Sequence, residues 1–521
     1  MASPMTDTDI RGSLSASGAG AVAGSMLSRA RSASKTQPLT AEAIAVADMP
    51  TPAPLSPIVL AGFVRMGEFA LIILIGLALY LAYLPAIDGL FGRYLSASVI
   101  IALLSTLAFQ TADIYQVQAF RGYEKQYMRL ASAWSFVFLI VIGASFFAKA
   151  GDLFSRVWLG SYYICGLAAL IISRRCVFLL VRKWTREGRL NRRTVIVGAG
   201  DAGAGVIDEL RLQKDTGVDI IGLFDDRGDE RSSADCAGER KLGTVDDLVE
   251  FGRRTRVDLV IFSLPISAET RILQMLKKLW VLPVDIRLAA HANKLRFRPR
   301  SYSYIGRIPV LDVFDRPIAD WDVVMKWLFD KIIGGIGLLM ALPLMAIIAL
   351  AIKLDSRGPV LFKQKRYGFN NELIEVYKFR SMYADAMDLS ANQLVTKDDP
   401  RVTRVGRIIR RASLDELPQL FNVVFKGNLS LVGPRPHAIH AKAEARLYDE
   451  AVDGYFARHR VKPGITGWAQ INGWRGETDT HEKIQKRVEH DLYYIENWSV
   501  PLDLAILART PFALFKTENA Y

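Results

Sequence analysis

The sequence predicts a membrane α-helical bundle joined to a Rossmann-like α/β domain, and then to an α-rich domain that carries a re-entrant membrane helix. Three observations predict it. Apolar runs near the ~20 residues a spanning helix needs are grouped before residue 181 and recur once, from Ile332 to Ile352. A glycine-spaced strand-to-helix signal follows the first group, from Thr194 to Gly203. Beyond residue 355, long apolar runs give way to strings of arginine, lysine and proline. The composition agrees: of 521 residues, 51% are hydrophobic and 23% charged, so apolar segments must alternate with polar domains.

Residues 1–57 are rich in Ser, Ala, Gly, Thr and Pro, with few aromatic or β-branched residues to bury, and are expected to form a disordered tail. They do not read as a signal peptide, because Arg29, Arg31 and Lys35 lead into more polar sequence rather than an apolar core. Four spans follow within 58–181: Phe69 to Leu84, Leu95 to Phe109, Ala131 to Ala148 and Val157 to Leu180. The loop between the second and third carries Arg121, Lys125 and Arg129. The fourth span is followed by Arg182, Lys183, Arg186, Arg189, Arg192 and Arg193. The positive-inside rule places both segments, and the N-terminus, in the cytoplasm. A formal charge of +13 suits anionic lipid headgroups or anionic substrates. No nucleic-acid partner is expected, since the basic residues flank apolar membrane segments. Cys165, Cys176 and Cys236 are scattered without CxxC spacing, which implies no disulfide framework and no zinc site.

The α/β domain is expected over 190–300. It opens with Thr194-Val195-Ile196-Val197 and the glycines Gly198, Gly200 and Gly203, and a β-like run from Asp219 to Phe224 ends at Asp225 and Asp226. This spacing matches a dinucleotide fingerprint with an acidic residue about 20 positions on. A tight strand-to-helix turn needs glycines even where nothing binds, so a structural or regulatory module stands beside nucleotide binding as a reading.

The fifth apolar run lies in the last domain, expected over 320–521, with its helix at about 325–354. Hydropathy alone makes it a span. Pro343 at its middle removes a backbone bond and favours a break. Lys326 and Lys331 before it, and Lys353, Arg357, Lys363 and Lys365 after it, leave the charge rule no outer end. A fifth span would also deliver the remaining chain to the periplasm, away from nucleotide-activated substrates. A re-entrant helix broken at Pro343 resolves these conflicts.

Past residue 355, Lys378-Phe379-Arg380-Ser381-Met382 sets two cations around an aromatic ring. Arg407, Arg410 and Arg411 precede Ser413-Leu414-Asp415-Glu416-Leu417-Pro418-Gln419, and Val432-Gly433-Pro434-Arg435-Pro436 holds an arginine between prolines. Flanking prolines restrict the backbone and pre-orient a guanidinium whose planar fork suits phosphate. Ser413 and Glu416 have the spacing of a capping box at a helix start. That structural reading leaves room for chemistry, because Asp415 at the same place could hold Mg²⁺ or attack phosphorus. His437 and His440 read as surface or packing residues.

These strings, together with Gly358-Pro359, Phe362, Gln364 and Lys462-Pro463-Gly464-Ile465-Thr466-Gly467, resemble the polyprenyl-phosphate hexose-1-phosphate transferases. These belong to the monotopic phosphoglycosyl transferase superfamily. The catalytic likeness runs from about 325 to 520, and the upstream helices and Rossmann-like segment match the family's large members. The resemblance implies that Asp415 attacks the sugar-bearing phosphorus of a UDP-sugar, that UMP leaves, and that undecaprenyl phosphate then takes the phosphosugar. It implies Mg²⁺ as cofactor with Asp415 as its ligand, help from Glu416, and Lys378, Arg380, Arg411 and Arg435 as substrate ligands. It also implies a bacterial inner-membrane enzyme working on the cytoplasmic face, in contact with membrane lipids. The string from Gly467-Trp468-Ala469-Gln470 to Thr478 looks like the branch that uses UDP-glucose rather than UDP-galactose. Two rivals predict otherwise. A membrane-anchored nucleotide-sugar dehydratase needs a Tyr-x-x-x-Lys pair, absent from this chain, and a non-enzymatic membrane nucleotide sensor predicts no turnover. Oligomeric state is open, a homodimer included.

Overall fold

A computed structural model describes residues 39–84, 90–115, 124–149, 153–213, 216–227, 235–264, 268–290, 303–306, 308–384, 399–436, 442–443, 446–447, 455–474 and 480–515. The readings on residues 1–38, Arg121, His437, His440 and Arg475 to Thr478 lie outside the described residues.

The tail expectation needs a correction at its far end. Ala41–Ala47 is a helix (α1), capped by Thr40 Oγ1, which accepts from Ala43 N. Leu39, Ala43 and Ala47, spaced four apart, are buried against the α/β core beside Leu242 and Leu248. One leucine and two alanines make this stripe, so a compositional reading passes over it.

Four helices long and apolar enough to cross a membrane come next: α2 (Pro57–Tyr83), α3 (Phe91–Thr111), α4 (Glu124–Phe147) and α5 (Arg156–Arg186). Outward-facing leucines, isoleucines and phenylalanines cover them, and an aromatic core of Tyr80, Tyr94, Trp134, Trp158 and Tyr162 holds them together. Gly76 lets α2 approach closely, since a Cβ there would meet Ser98 Oγ at 2.2 Å. Its carbonyl accepts from Trp158 Nε1 at 3.0 Å. Glu68 and Arg174 form a buried two-pronged ion pair at 2.6 and 2.8 Å, which neutralises charges that would be expensive singly.

The α/β domain is a mixed sheet in the order β3-β4-β2-β1-β5-β6-β8-β7. Its strands are β1 (Arg192–Val197), β2 (Val218–Phe224), β3 (Asp235–Cys236), β4 (Glu239–Gly243), β5 (Leu259–Phe262), β6 (Asp285–Ala289), β7 (Ser303–Ile305) and β8 (Ile308–Phe314). The centre β4-β2-β1-β5-β6 is parallel, as helical crossovers require, whereas β8 and β7 close one edge antiparallel. Helices α6 (Asp201–Leu212), α7 (Val245–Arg254) and α8 (Glu269–Leu279) cover the sheet.

The fifth long apolar helix, α9, runs from Asp320 to Asp355. Pro343 lies inside it without ending it, so the expected break is not a gap in the helix. Beyond it lie the hairpin β9 (Leu361–Tyr367) with β10 (Leu373–Phe379), helix α10 (Arg404–Arg411), and the parallel pair β11 (Ser430–Val432) with β12 (Gly464–Thr466). Helices α11 (His481–Glu496) and α12 (Val500–Phe515) finish the module. One core joins Phe329, Val376, Val423, Val432 and Tyr494, and a second joins Leu338, Met345, Ile348 and Ile352 to Phe379 and Ile409.

This module and the α/β domain touch. Asn370 Nδ2 donates to Gly252 O at 2.9 Å, and Arg253 lies 4.8 Å from the Phe456 ring centre.

Candidate active site

The carboxylate pair sits where α10 ends. Ser413 adopts a left-handed conformation, φ +55°, which stops α10 and turns the chain into a single tight helical turn, Leu414–Glu416. The capping box does not form: no side-chain cap bond joins Ser413 to the turn, and Glu416 faces elsewhere. Leu414, Leu417 and Leu420 pack against the cluster on α9, which fixes the pair beside the membrane helix.

The hairpin supplies the cation opposite. Asn422, fully buried, accepts from Tyr377 N at 2.9 Å and donates to Glu375 O at 2.6 Å, locking β10 to the segment after the pair. This register sets Lys378 Nζ 2.9 Å from Glu416 Oε1. Arg435 Nη2 donates to the same oxygen at 2.7 Å. The Arg435 backbone is brought there by close strand approach. A Cβ on Gly464 would meet Gly433 N at 2.1 Å, and one on Gly467 would meet Gly433 O at 2.3 Å, so these glycines have no substitute.

The two carboxylates are driven apart electrostatically. Burial works against charge on Glu416, yet Arg435 and Lys378 outweigh it and hold the carboxyl well below the usual carboxylate range. Asp415 is pushed up to about 6, first by burial and then by the Glu416 charge, against the opposing pull of Lys378. Among the described residues no hydrogen bond or close ion pair engages the Asp415 carboxylate. One carboxylate is thus held and the other left open, a division typical of paired acids with different tasks.

Two other expected ligands stand elsewhere. Arg380 is buried behind the site, donating to Arg357 O at 2.9 Å, Ser356 O at 2.7 Å and Ser356 Oγ at 3.0 Å. It closes the C-terminal end of α9, where carbonyls lack helical partners. Gly358, at φ +126°, makes room, since a Cβ there would meet Arg380 Nη1 at 2.1 Å. Arg411 is exposed at the end of α10, while its neighbour Arg410 is half-buried and close enough for its charge to act on Asp415. Sequence reasoning missed Arg366, whose charge also favours ionised Glu416. The alternation in β9 holds the signal: Phe362, Gln364 and Arg366 share the face of Lys378 through the Phe362–Lys378 register.

Residues 321–517 match the bacterial sugar transferase family, and residues 110–290 match a CoA-binding domain. The chain is 36% identical over 429 residues to the UDP-glucose:undecaprenyl-phosphate glucose-1-phosphate transferase of Klebsiella pneumoniae, covering 81% of this chain and 90% of that one. It is 35% identical to the protein of the same name from Escherichia coli (strain K12), with 82% and 91% covered. It is 40% identical over 375 residues to the undecaprenyl-phosphate glucose phosphotransferase of Komagataeibacter xylinus, with 70% and 67% covered. The chain belongs to the polyprenyl-phosphate hexose-1-phosphate transferase family. As a member it is a transferase, and its long apolar helices make it a membrane protein.

In this transferase two of the three Rossmann-like glycines, Gly198 and Gly203, have structural reasons. Gly198 has φ +112°, and Gly203 packs so closely that a Cβ would meet Gly198 O at 2.3 Å. Gly200 precedes α6, and the nearest atom to a Cβ there is Arg227 Nη1 at 3.6 Å. Asp225 is 1% exposed and accepts from Ala199 N at 2.7 Å and Arg227 N at 2.9 Å, so the acid expected at a ribose holds its own loop. Among the described residues no cluster of three or more His, Cys, Asp or Glu is placed to hold a metal.

Proposed function

We propose that the chain transfers glucose-1-phosphate from UDP-glucose to undecaprenyl phosphate, releasing UMP, at the cytoplasmic face of a bacterial inner membrane. The observation that carries this is the open Asp415 carboxylate beside a Glu416 held by Lys378 and Arg435, on a turn packed against α9. The relatives from Klebsiella and Escherichia carry this donor and acceptor in their names. An oxygen of ionised Asp415 attacks the sugar-bearing phosphorus. The bond from that phosphorus to the bridging oxygen breaks, and UMP leaves with the electron pair. An oxygen of the lipid phosphate then attacks the same phosphorus, forming the diphosphate and freeing the Asp415 carboxylate. Lys378 and Arg435 place cationic charge where the diphosphate lies.

Mg²⁺ fits the donors present. Both oxygens of Asp415 and the Oε2 of Glu416, which lies outside the two ion pairs on Oε1, are hard ligands. This ion is ordinarily held by one or two carboxylates together with substrate phosphates. When bound it neutralises diphosphate charge as that charge moves toward the leaving UMP.

The re-entrant course of α9 is part of the proposal. Near its start, Lys326 Nζ donates to Val432 O at 2.9 Å and to Asp503 at 2.6 Å. Near its end, Asp355 accepts from Val405 N at 3.1 Å. Both ends are tied by polar bonds to one charged module, which supports a helix that enters and leaves by the same face. If an introduced cysteine near Lys363 reacts with an impermeant reagent from the periplasm of intact cells, this course is wrong.

Membranes containing the chain, incubated with undecaprenyl phosphate and either labelled UDP-glucose or labelled UDP-galactose, test the reaction. Label in the lipid from UDP-glucose is expected. Label from UDP-galactose alone overturns the sugar assignment, and no label from either overturns the transfer.

A further inference from the structure

The segment Gly433-Pro434-Arg435-Pro436 belongs to no helix or strand, and its two prolines have no N–H to give. Its position therefore rests on Gly433 N, which donates to Thr466 O at 2.9 Å, and on what its carbonyls accept. Gly464 N donates to Pro434 O at 3.0 Å. Arg458 Nη2 donates to Arg435 O at 2.8 Å, and Arg366 Nη1 donates to Pro436 O at 2.9 Å. Each guanidinium is itself held. Arg366 pairs with Gln364 Oε1 on β9, whereas Arg458 pairs with Asp491 on α11, with side-chain exposures of only 1% and 2%. The buried pair does not face the carboxylates; its reach ends on the main chain of the residue that does.

We propose that Arg458, held by Asp491, is a positioning residue for the transfer: it grips the Arg435 carbonyl and so keeps the Arg435 guanidinium on Glu416. The inference rests on the reaction proposed above. A charged donor is suited to this because an arginine bond to a carbonyl is stronger than a neutral one, and the two N–H groups of one terminal nitrogen, Nη2, serve Asp491 and the carbonyl together. Lysine at 458 keeps the charge near Asp491, but its ammonium stands one bond short of the Nη2 position from which both contacts are made.

The test uses the purified full-length chain in detergent, assayed with UDP-glucose and undecaprenyl phosphate. Arg458→Ala should lower kcat roughly tenfold to a hundredfold, as a displaced catalytic group does. KM for UDP-glucose should change little, the pattern of an interaction lost in the transition state. In an Arg435→Ala background, adding Arg458→Ala should lower kcat by no more than about twofold, because the residue it positions is already gone. A general effect on folding would instead multiply. Arg458→Lys guards against failure of the alanine variant to fold: it should melt near wild type and still lose about tenfold in kcat. Wild-type kcat in Arg458→Lys overturns the proposal, as do multiplying losses in the double variant or an Arg458→Lys chain that cannot fold. A wild-type chain that transfers no sugar refutes the reaction itself, a separate outcome.

Discussion

Two aspartates, Asp225 in the α/β domain and Asp415 in the catalytic module, each follow a motif that invites a binding or catalytic reading. Their surroundings differ in one decisive respect. Asp225 has both carboxylate oxygens engaged by main-chain N–H groups of adjoining turns, from Ala199 and Arg227, and is almost fully buried. Asp415 makes no such bond among the described residues, and its neighbour Glu416 draws Lys378 and Arg435 to itself. A carboxylate whose lone pairs are occupied by backbone donors holds a loop together. One that is partly buried, uncommitted and flanked by cations is placed to react.

The largest expected effect is at Asp415. Asparagine has the same shape, so Asp415→Asn should leave folding intact, yet a neutral amide cannot form the acyl-phosphate, and turnover should fall by several orders of magnitude. UMP release measured with UDP-glucose and no lipid acceptor reads this directly. Wild type should release about one UMP per active site and stall, as a covalent intermediate requires. A stoichiometric burst from Asp415→Asn would place the nucleophile elsewhere and erase the contrast with Asp225.

The pH dependence sharpens the contrast next. Because Asp415 is pushed up to about 6 and must be ionised to attack, kcat/KM should fall as pH drops through about 6. Glu416 contributes to that rise, so Glu416→Gln should move the acid limb to lower pH while reducing the rate. A limb that moves upward would contradict the electrostatic account. Folding stability has its own sign. A carboxyl that binds its proton more tightly when folded stabilises below its unfolded pKa. That contribution is lost as pH rises through the window from 3.8 to about 6.

Much of this was legible in the sequence. Membrane helices show because hydropathy sums over many residues, and the glycine turn and the Asp415-Glu416 string show because they are contiguous. What was not legible depends on where a strand stops or which distant segments meet. Lys378 and Arg380 read as a pair two residues apart, which on a continuing strand would share a face. The strand ends at Phe379, and Arg380 turns back to the end of α9 while Lys378 stays over Glu416. Arg366, Asn422 and Arg458 work through partners up to 70 positions away, a relation that no local pattern records.

That divergence gives a third, smaller effect. Arg380→Met should lower the melting temperature, since the partly buried carbonyls at Ser356 and Arg357 lose their donor, at a total cost of about 1–3 kcal/mol. The fraction that remains folded should still transfer sugar at a rate within a few-fold of wild type. A soluble melt that is unchanged, with activity lost, would return Arg380 to the substrate and make it equivalent to Lys378.

The smallest effect on activity is expected at Asp225. In Asp225→Asn one oxygen becomes an NH₂ group facing a main-chain N–H, so one of the bonds to Ala199 and Arg227 is lost and donors are opposed. The α/β domain should weaken by about 1–3 kcal/mol, the cost of a buried polar group without its partner. This domain touches the catalytic module through Gly252 and Arg253 rather than through the Asp225 loop, so the carboxylate pair should not feel the change. Hydrogen exchange should show faster opening at Ala199 and its neighbours, with kcat and KM for UDP-glucose matching wild type in the same preparation. If transfer falls in proportion to the Asp415 variant while the chain stays folded, Asp225 does more than tie its loop. The glycines at Gly198, Gly200 and Gly203 would then regain a ligand.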